Sequence, residues 1–367
     1  MTKRAYVGVS GKARKVKKIY LGVGGKARKV KKGYIGVGGK ARPFFTSGEL
    51  EYYGTVTGLS VARKQLAGVS FGEYALFGGG GLATETKNVT VDAYSSTLTR
   101  SNPSGLVSGG RANAGTSVGN YALFTGGNLG HNNYVDAVSA YNRSLVRSSP
   151  TALTWKAFGL AAASVSNYAL FAGGLEGSAE LKDVNAYSAS LVRTVPTELR
   201  AGQYWGAATS VGGSALFACY SMVEAYNNAL VHSTLDRLSA QRTQLAATNV
   251  GNYALFGGGY SASNRVDAYN SSFVRSTPAA LSVARAILAA TSVGNYAIFA
   301  GGAIYDAGES FDAVDVYTSS LVRMDFTKLS VARSYLGAAS VGNAALFAGG
   351  VRGTVDFYAN VDAYVVS

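Results

Sequence analysis

Residues that build disulfides and transition-metal sites are nearly missing from this sequence. Its 367 residues include one cysteine, Cys219, and two histidines, His131 and His232. One thiol cannot form an intrachain disulfide, and three such ligands scattered along the chain do not make a His/Cys zinc site. We therefore expect no metal and no cofactor, and we interpret both histidines as surface residues and Cys219 as a packed thiol.

Long apolar runs are also missing. No stretch approaches the roughly 18 consecutive apolar residues of a membrane span, and the N-terminal residues lack the apolar segment of a secretory signal. We expect neither feature in this protein. Proline is scarce, with 5 residues, whereas glycine is abundant, with 47. Together with 24 tyrosines and a hydrophobic content of 47%, this composition favours a turn-rich, all-β globular fold.

Acidic residues are missing from one end of the chain. The whole sequence has 34 Lys+Arg against 20 Asp+Glu, a net charge of +14, and residues 1–42 hold 14 of the basic residues and no acid. Residues 43–367 therefore hold 34 − 14 = 20 basic residues against 20 acidic ones. Since this neutral body has no charge excess to attract phosphates, we do not expect it to bind nucleic acid.

The basic segment is a short tandem repeat. Tyr6, Tyr20 and Tyr34 each begin a unit of the type Tyr-aliphatic-Gly-Val-x-Gly-Lys-Ala-Arg, spaced 14 residues apart. Each unit predicts a β-hairpin: a short strand, a tight glycine turn and a basic second strand. Because a lone small hairpin is marginally stable, we expect full order only against copies of itself or another protein. We predict an arm over residues 1–43 and a second domain over 44–367.

A longer repeat fills the second domain. Its most regular element, Asn-Tyr-Ala-Leu-Phe-Ala-Gly-Gly, occurs in seven copies 39–48 residues apart, each preceded by a small-residue strand and followed by Val-Asp-Ala-Tyr or a variant. Four short strands per repeat are typical of a propeller blade. The last copy lacks its fourth strand, and residues from about Glu49 to Leu59 supply one. The sequence therefore predicts a closed, seven-bladed β-propeller.

The long repeat resembles the Kelch family over about 300 residues. The resemblance rests on the double glycine that ends the second strand, on the tyrosine of the third strand and on an arginine at the blade boundary. The tryptophan that usually follows the tyrosine is absent, and the fourth copy has Cys219-Tyr220 instead of two glycines. The arm resembles tandem units found near the N-termini of structural proteins of phages and prophages of Gram-positive hosts, which implies a virion component.

Polar positions mostly repeat with the blades, as structural residues do. An acid stands two residues before the tyrosine in five copies, and an arginine six residues after it in five, which predicts cross-strand ion pairs. We find no cluster of carboxylates or of nucleophile and base, and we predict that the protein is not an enzyme.

Two sets of residues are candidates for ligand binding. A cation stands just before each innermost strand, and ring closure would gather these seven around one mouth of the central channel, where they would favour an acidic ligand: Arg63, Arg111, Lys156, Arg200, Arg242, Arg285 and Arg333. The competing interpretation is that each caps carbonyls or pairs with an acid of its own blade. Tyrosines in the variable loops could stack on sugar rings: Tyr134, Tyr260 and Tyr305.

Three uses of the arm compete. A nucleic-acid tail would bind phosphates, a membrane-surface peptide would need an amphipathic helix that the glycine turns disfavour, and an assembly segment would add strands to a partner. The alternation of basic and apolar residues favours assembly. The residues that we assign to it are Tyr6, Arg14, Lys15, Tyr20, Arg28, Lys29, Tyr34 and Arg42.

These observations lead to one functional expectation. The arm attaches the protein to a phage particle through other virion proteins, in several copies or as a homo-oligomer, and the propeller adheres to an anionic glycan or wall polymer of the bacterial surface. One alternative is a purely architectural subunit that binds only its neighbours in the virion. A second alternative is an enzyme that acts on polysaccharide.

Overall fold

A computed structural model describes residues 6–9, 12–15, 19–23, 26–30, 32–37, 40–46, 48–84, 88–260, 263–304 and 308–367. The described residues are all-β, without a helix, and form a seven-bladed β-propeller preceded by hairpins. By internal contacts the chain divides into two units: Met1–Tyr53 with Tyr364–Ser367, and Gly54–Ala363.

The described residues of the arm form three separate two-stranded antiparallel sheets, one for each sequence repeat. Their strands are Tyr6–Val9 with Lys12–Lys15, Ile19–Val23 with Lys26–Val30, and Lys32–Val37 with Lys40–Thr46. Within each of the first two hairpins the repeat tyrosine lies opposite a lysine, Tyr6 opposite Lys15 and Tyr20 opposite Lys29. In the third, a bulge at Gly33/Tyr34 places Tyr34 opposite Pro43. The hairpins predicted from the 14-residue repeat are therefore present.

Each blade is a four-stranded antiparallel sheet. From the inside outwards, the strands of blades 1 to 3 are Ala67–Phe71, Tyr74–Gly78, Val91–Ser95 and Arg100–Ser101; Ala114–Val118, Tyr121–Thr125, Ser139–Asn142 and Arg147–Ser148; and Ala161–Val165, Tyr168–Ala172, Val184–Ser188 and Arg193–Thr194. Those of blades 4 and 5 are Ala207–Val211, Ser214–Cys219, Met222–Asn227 and His232–Thr234; and Ala246–Val250, Tyr253–Gly257, Val266–Asn270 and Arg275–Ser276.

Blades 6 and 7 complete the ring. Their strands are Ala289–Val293, Tyr296–Ala300, Val314–Thr318 and Arg323–Asp325; and Gly337–Val341, Ala344–Ala348, Val361–Val366 and Leu50–Val56. Since Leu50–Val56 is the outer strand of blade 7, the predicted closure by an N-terminal strand is confirmed. Short hairpins also project from three loops: Leu175–Glu176 with Ala179–Glu180, Ala303–Ile304 with Glu309–Ser310, and Val351–Arg352 with Asp356–Phe357.

The core lies between neighbouring blades and repeats with them. In blades 1 to 6 the phenylalanine of the second strand packs edge-on against the third-strand tyrosine, as Phe77 does against Tyr94 with ring centroids 5.8 Å apart. Both rings are fully buried. The Tyr94 hydroxyl donates a hydrogen bond of 2.8 Å to the carbonyl of Thr57, so its one polar atom is satisfied. This repeated pair explains why Phe and Tyr recur in step along the sequence.

Candidate functional site

Four of the seven predicted channel-mouth cations lie inside the blades instead. Each has a fully or almost fully buried guanidinium that is paired with the third-strand aspartate of its own blade. The pairs are Arg63 with Asp92 (2.8 Å), Arg242 with Asp267, Arg285 with Asp315 (2.8 Å) and Arg333 with Asp362 (2.7 Å). The prediction that these four bind a ligand at the mouth is wrong, because a buried, paired charge is not accessible to one.

The buried arginines connect the segments of a blade. Arg333 donates from Nη1 to the carbonyl of Val331 (3.1 Å), from Nη2 to that of Phe347 (3.1 Å) and from Nε to that of Gly349 (2.7 Å). One guanidinium thus joins the segment entering the blade to the second strand, and its ion pair adds the third. Burial lowers the pKa of Arg63, and the charge of Asp92 opposes that shift.

The other three predicted cations are out of register with these arginines. A main-chain hydrogen bond identifies the arginine position: the carbonyl of Arg333 accepts from the N–H of Gly302. In blades 2, 3 and 4 the carbonyls that accept the corresponding bonds belong to Gly110, Ala157 and Gln203, and the donors are Gly80, Gly127 and Gly174. The acid positions of these blades hold Ser139, Asn185 and Glu224. The buried arginine therefore occurs where the partner is aspartate and in none of the other three blades.

Of those three cations, only Arg111 lies at the channel mouth. It is half-buried, whereas Lys156 and Arg200 are exposed, and Arg200 sits three residues before the arginine position with its main-chain N–H donating to Glu224 (2.9 Å). The predicted ring of seven cations does not form. Four of the arginines are buried beside aspartates of their own blades, and the segments entering blades 2, 3 and 4 place their cations at other positions.

The predicted cross-strand ion pairs are present in three blades. The aspartate also pairs with the outer-strand arginine: Asp92 with Arg100 (3.8 Å), Asp267 with Arg275 (3.0 Å) and Asp315 with Arg323 (2.6 Å). In blade 4 the corresponding pair is Glu224 with His232 (2.6 Å). In blades 2 and 3, which lack the acid, Arg147 and Arg193 donate to the carbonyls of Gly105 and Ala152.

A closed belt of main-chain hydrogen bonds encircles the channel. One residue of each entering segment donates its N–H to the carbonyl of the corresponding residue of the preceding blade, over 2.8 to 3.0 Å. The donors and acceptors are Gln65 to Tyr335, Ala112 to Gln65, Gly159 to Ala112, Trp205 to Gly159, Gln244 to Trp205, Ile287 to Gln244 and Tyr335 to Ile287. All seven have φ between 49° and 67°, although only Gly159 is glycine. The ring of hydrogen bonds holds this strained conformation in place.

The belt lies between two cavities. The larger one, which we call the mouth cavity, has a volume of about 570 Å³. The smaller, about 150 Å³, is lined by the belt and by residues that follow it towards the inner strands, such as Leu66 and Asn113. Four belt residues line both: Gln65, Trp205, Gln244 and Tyr335. The two cavities therefore meet at these four residues.

The mouth cavity has two chemically different sides. Blades 1 and 2 contribute the cations Lys64 and Arg111. Blades 3 and 4 contribute the aromatic rings Phe158, Tyr204 and Trp205. Thr243, Gln244 and Tyr260 of blade 5 and Tyr335 of blade 7 complete the wall. Its described lining has no Asp, Glu or His, and the described residues contain no group of three such side chains or cysteines that could hold a metal ion.

Tyr134, one of the loop tyrosines predicted to bind a ligand, packs behind the aromatic side of the mouth cavity. Tyr134 is only 8% exposed and stacks on Phe158, with ring centroids 5.4 Å apart and planes 9° from parallel. Phe158 in turn meets Trp205 edge-on at 6.1 Å. The prediction that Tyr134 stacks on a ligand is wrong because its ring is already covered. Tyr260, 40% exposed, does line the cavity, and Tyr305 lies outside the described residues.

Sequence reasoning missed most of the mouth cavity. Lys64, Tyr204, Trp205 and Gln244 follow within two residues of the repeated arginine position, yet they differ from blade to blade. Variation between blades at one position of a uniform scaffold indicates a binding surface, and it could have identified these residues. The same reasoning led to the loop tyrosines as candidates. The assembly residues of the arm lie on its described strands, and only their backbone positions are described.

No protein-family model matches the chain, and a comparison with curated protein sequences finds no match. Solved structures do match. One, titled "Structure of YjhT", aligns with a TM-score of 0.54 over 85% of this chain and 95% of that chain, at 11% sequence identity. At this identity the likeness shows the fold alone. The described residues include no helix long and apolar enough to cross a membrane.

Proposed function

We propose that this chain is a non-catalytic structural protein of a phage particle, whose propeller adheres to a glycan or wall polymer of the bacterial surface. The observation that carries the adhesion is the mouth cavity. Aromatic faces such as Trp205 stack on sugar rings, and amides such as Gln244 hydrogen-bond hydroxyls. A binding role fits better than hydrolysis, because the described lining offers no carboxylate to act as acid, base or nucleophile.

The arm would provide the attachment. The three hairpins lie in a segment whose residues 1–42 include 14 basic residues and no acid, which suits contact with an acidic surface of another virion protein, or with other copies of this chain. The resemblance of the arm repeats to those of phage structural proteins, and of the blades to Kelch repeats, supports this proposal at the level of sequence. In the blades the double glycine has a structural role: Gly126 and Gly127 have φ of 72° and 116°, which allows the chain to leave the second strand beside the next blade.

Adhesion of the propeller is tested with purified Gram-positive cell walls and the full-length chain. We expect sedimentation with the walls, weakened at least tenfold by Tyr260→Ala and unchanged by Tyr53→Ala. Both tyrosines are exposed, 40% and 63%, but Tyr53 does not line the cavity. Thermal unfolding of each variant confirms that it is folded. Equal loss in both variants, or no binding by the wild-type chain, would contradict adhesion through this cavity.

Attachment of the arm to the particle is tested separately by pull-down of purified virion proteins. We expect the full chain to capture a virion component and a variant lacking residues 1–43 to lose it. This deletion leaves the blade 7 strand Leu50–Val56 in place. If the shortened chain still assembles, the arm is not the attachment.

An architectural role is the second candidate, and a row of exposed valines favours it. The turn before the outer strand presents an equivalent valine in five consecutive blades, each 57% to 61% exposed: Val146, Val192, Val231, Val274 and Val322. A repeated apolar position on the rim suits contact with neighbouring subunits. Val231→Asp and Val274→Asp together would then block incorporation into particles without changing wall binding.

A further inference from the structure

The wall around the mouth cavity is low at blade 4. The connections from the second to the third strand lie at the mouth end of the blades, and Tyr260 of the blade 5 connection lines the cavity. In the other six blades these connections range from eight residues (258–265, blade 5) to thirteen (126–138, blade 2). In blade 4 the second strand ends at Cys219 and the third begins at Met222, so the connection is only Tyr220 and Ser221. A two-residue turn cannot rise above the sheet as the longer connections of blades 3 and 5 can.

Tyr220 lies at the edge of the mouth cavity. Its carbonyl accepts from the main-chain N–H of Arg242 at 2.9 Å, and the next residue, Thr243, lines the cavity. On the other side, the thiol of Cys219 donates to the carbonyl of Tyr204 at 3.3 Å, and Tyr204 also lines the cavity. The turn of blade 4 is therefore joined to cavity residues on both sides. Tyr220 continues the aromatic side of the cavity onto this turn.

The ring of Tyr220 is held by its hydroxyl. That hydroxyl donates a hydrogen bond of 2.5 Å to Glu180 Oε1, in the short hairpin that projects from blade 3. The tyrosine is partly exposed. An aromatic ring that is already fixed loses little conformational entropy when a ligand packs against it. Tyr220 is therefore suited to stack on a sugar ring beside the cavity.

Tyr220 also adopts a backbone conformation that favours glycine. Its φ is 53°, and the corresponding sequence position of blades 2 and 3 holds Gly127 and Gly174, with φ of 116° and 108°. A bulky side chain in this region costs free energy that glycine does not, and residues of this kind concentrate at ligand-binding sites. Because folding alone would favour glycine here, the side chain of Tyr220 points to a binding role.

We infer that an extended glycan chain leaves the mouth cavity over the turn of blade 4, with one sugar beside Trp205 and Tyr204 and a neighbouring sugar stacked on Tyr220. This inference rests on the proposed adhesion and specifies its ligand as a linear polysaccharide. The longer connections of blades 3 and 5 flank the chain, and the low turn lets it pass. A chain of several sugars gains a contact with Tyr220 that a fragment confined to the cavity lacks.

The dependence of affinity on chain length tests this path. The probes are polysaccharide fragments of two and six sugars, released from the purified Gram-positive cell walls and separated by size, in calorimetric titrations with the full-length chain. We expect the six-sugar fragment to bind about tenfold more tightly than the two-sugar fragment. Tyr220→Gly should remove this difference and leave the affinity for the two-sugar fragment unchanged. Glycine accepts the positive φ of this position, and thermal unfolding of the variant confirms that it is folded.

Two further variants assign the effect to the ring. Tyr220→Phe keeps the ring and should keep the difference between the fragments, whereas Tyr53→Ala removes an exposed tyrosine outside the cavity and should change neither affinity. A loss in Tyr220→Phe as large as in Tyr220→Gly would overturn stacking on the ring.

Other outcomes separate this path from adhesion itself. Equal affinity of the wild-type chain for the two fragments, or an undiminished difference in Tyr220→Gly, would overturn the path over blade 4 but leave adhesion intact. Sedimentation with cell walls without binding of the six-sugar fragment would do the same. Failure of both fragments together with failure of cell-wall sedimentation would overturn the proposed function.

Discussion

Arg285 and Asp315 form a fully buried ion pair in blade 6, with 2.8 Å between Nη2 and Oδ2. The same aspartate accepts hydrogen bonds from the main-chain N–H and hydroxyl of Ser282, at 2.9 Å and 3.1 Å. One carboxylate therefore holds the entering segment by its backbone, by a side chain and by a buried charge. The arrangement recurs in blades 1, 5 and 7.

Substitutions that copy residues found at the same positions of other blades test how much this ion pair stabilises the protein. Asp315→Asn leaves Arg285 buried without its counter-charge, and we expect a loss of about 3–5 kcal/mol in the free energy of unfolding. Arg285→Ala combined with Asp315→Asn reproduces Ala157 and Asn185 of blade 3, where Asn185 Oδ1 still accepts from the Thr154 N–H at 3.0 Å. The double variant should lose less than the sum of the singles, by about 0.5–3 kcal/mol.

Urea denaturation monitored by tryptophan fluorescence measures the three variants. The control is Lys182→Ala, which breaks the solvent-exposed pair with Glu198 and should change the free energy of unfolding far less than Asp315→Asn does. Strictly additive losses would show that Arg285 and Asp315 do not stabilise each other.

Gly68 tests the contact between blades 1 and 7. A Cβ added there would lie 2.3 Å from the carbonyl oxygen of Ala338 in the neighbouring inner strand, so Gly68→Ala forces the two backbones apart. We expect a loss of about 1–3 kcal/mol. Ala290, at the equivalent position of blade 6, provides the control: Ala290→Gly should cost only about 0.5–1 kcal/mol. A thermal shift no larger for Gly68→Ala than for this control would contradict close packing at the seam.

Stability should fall at alkaline pH because of the third-strand tyrosines. Burial raises the pKa of Tyr94, Tyr141, Tyr187, Tyr226, Tyr269 and Tyr317 above that of an exposed phenol. Above about pH 10 the unfolded chain loses phenolic protons that the folded chain keeps, so stability present below that pH is lost as pH rises.

Thermal unfolding between pH 8 and pH 11 measures this effect, and tyrosinate absorbance at each pH reports the ionised fraction. In the folded protein that fraction should be smaller than in guanidinium chloride at the same pH. An identical fraction in the two states would show that the tyrosines are accessible.

Cys219 should not react in the folded state. Burial raises the pKa of its thiol to about 12, and because the thiolate is the reactive form, almost none is present at pH 8. We expect no reaction with a disulfide reagent such as dithionitrobenzoate over an hour, and one equivalent after denaturation. Rapid labelling of the native chain would contradict the burial of this strand end.

The fold was predictable because its determinants repeat. The Phe and Tyr recur in every blade, and the acid and the outer arginine recur in most blades. Both patterns identify strands whose partners are close in sequence. The missing fourth strand of the last copy indicated closure by residues near Glu49, and Leu50–Val56 occupies that place. Arg63 was assigned to the wrong role because the sequence cannot tell whether a cation beside a strand faces the channel or an aspartate of its own blade.

The sequence alone determined the seven blades, their closure and the separation of charge into a basic arm, since periodicity and composition need no long-range geometry. Only the tertiary structure decided which residues form the mouth. The belt brings Lys64, Arg111, Trp205 and Tyr335 together from four blades, up to 335 − 64 = 271 residues apart in sequence. Their proximity depends on a ring of main-chain hydrogen bonds between residues with positive φ. This ring corresponds to no repeated side-chain pattern in the sequence.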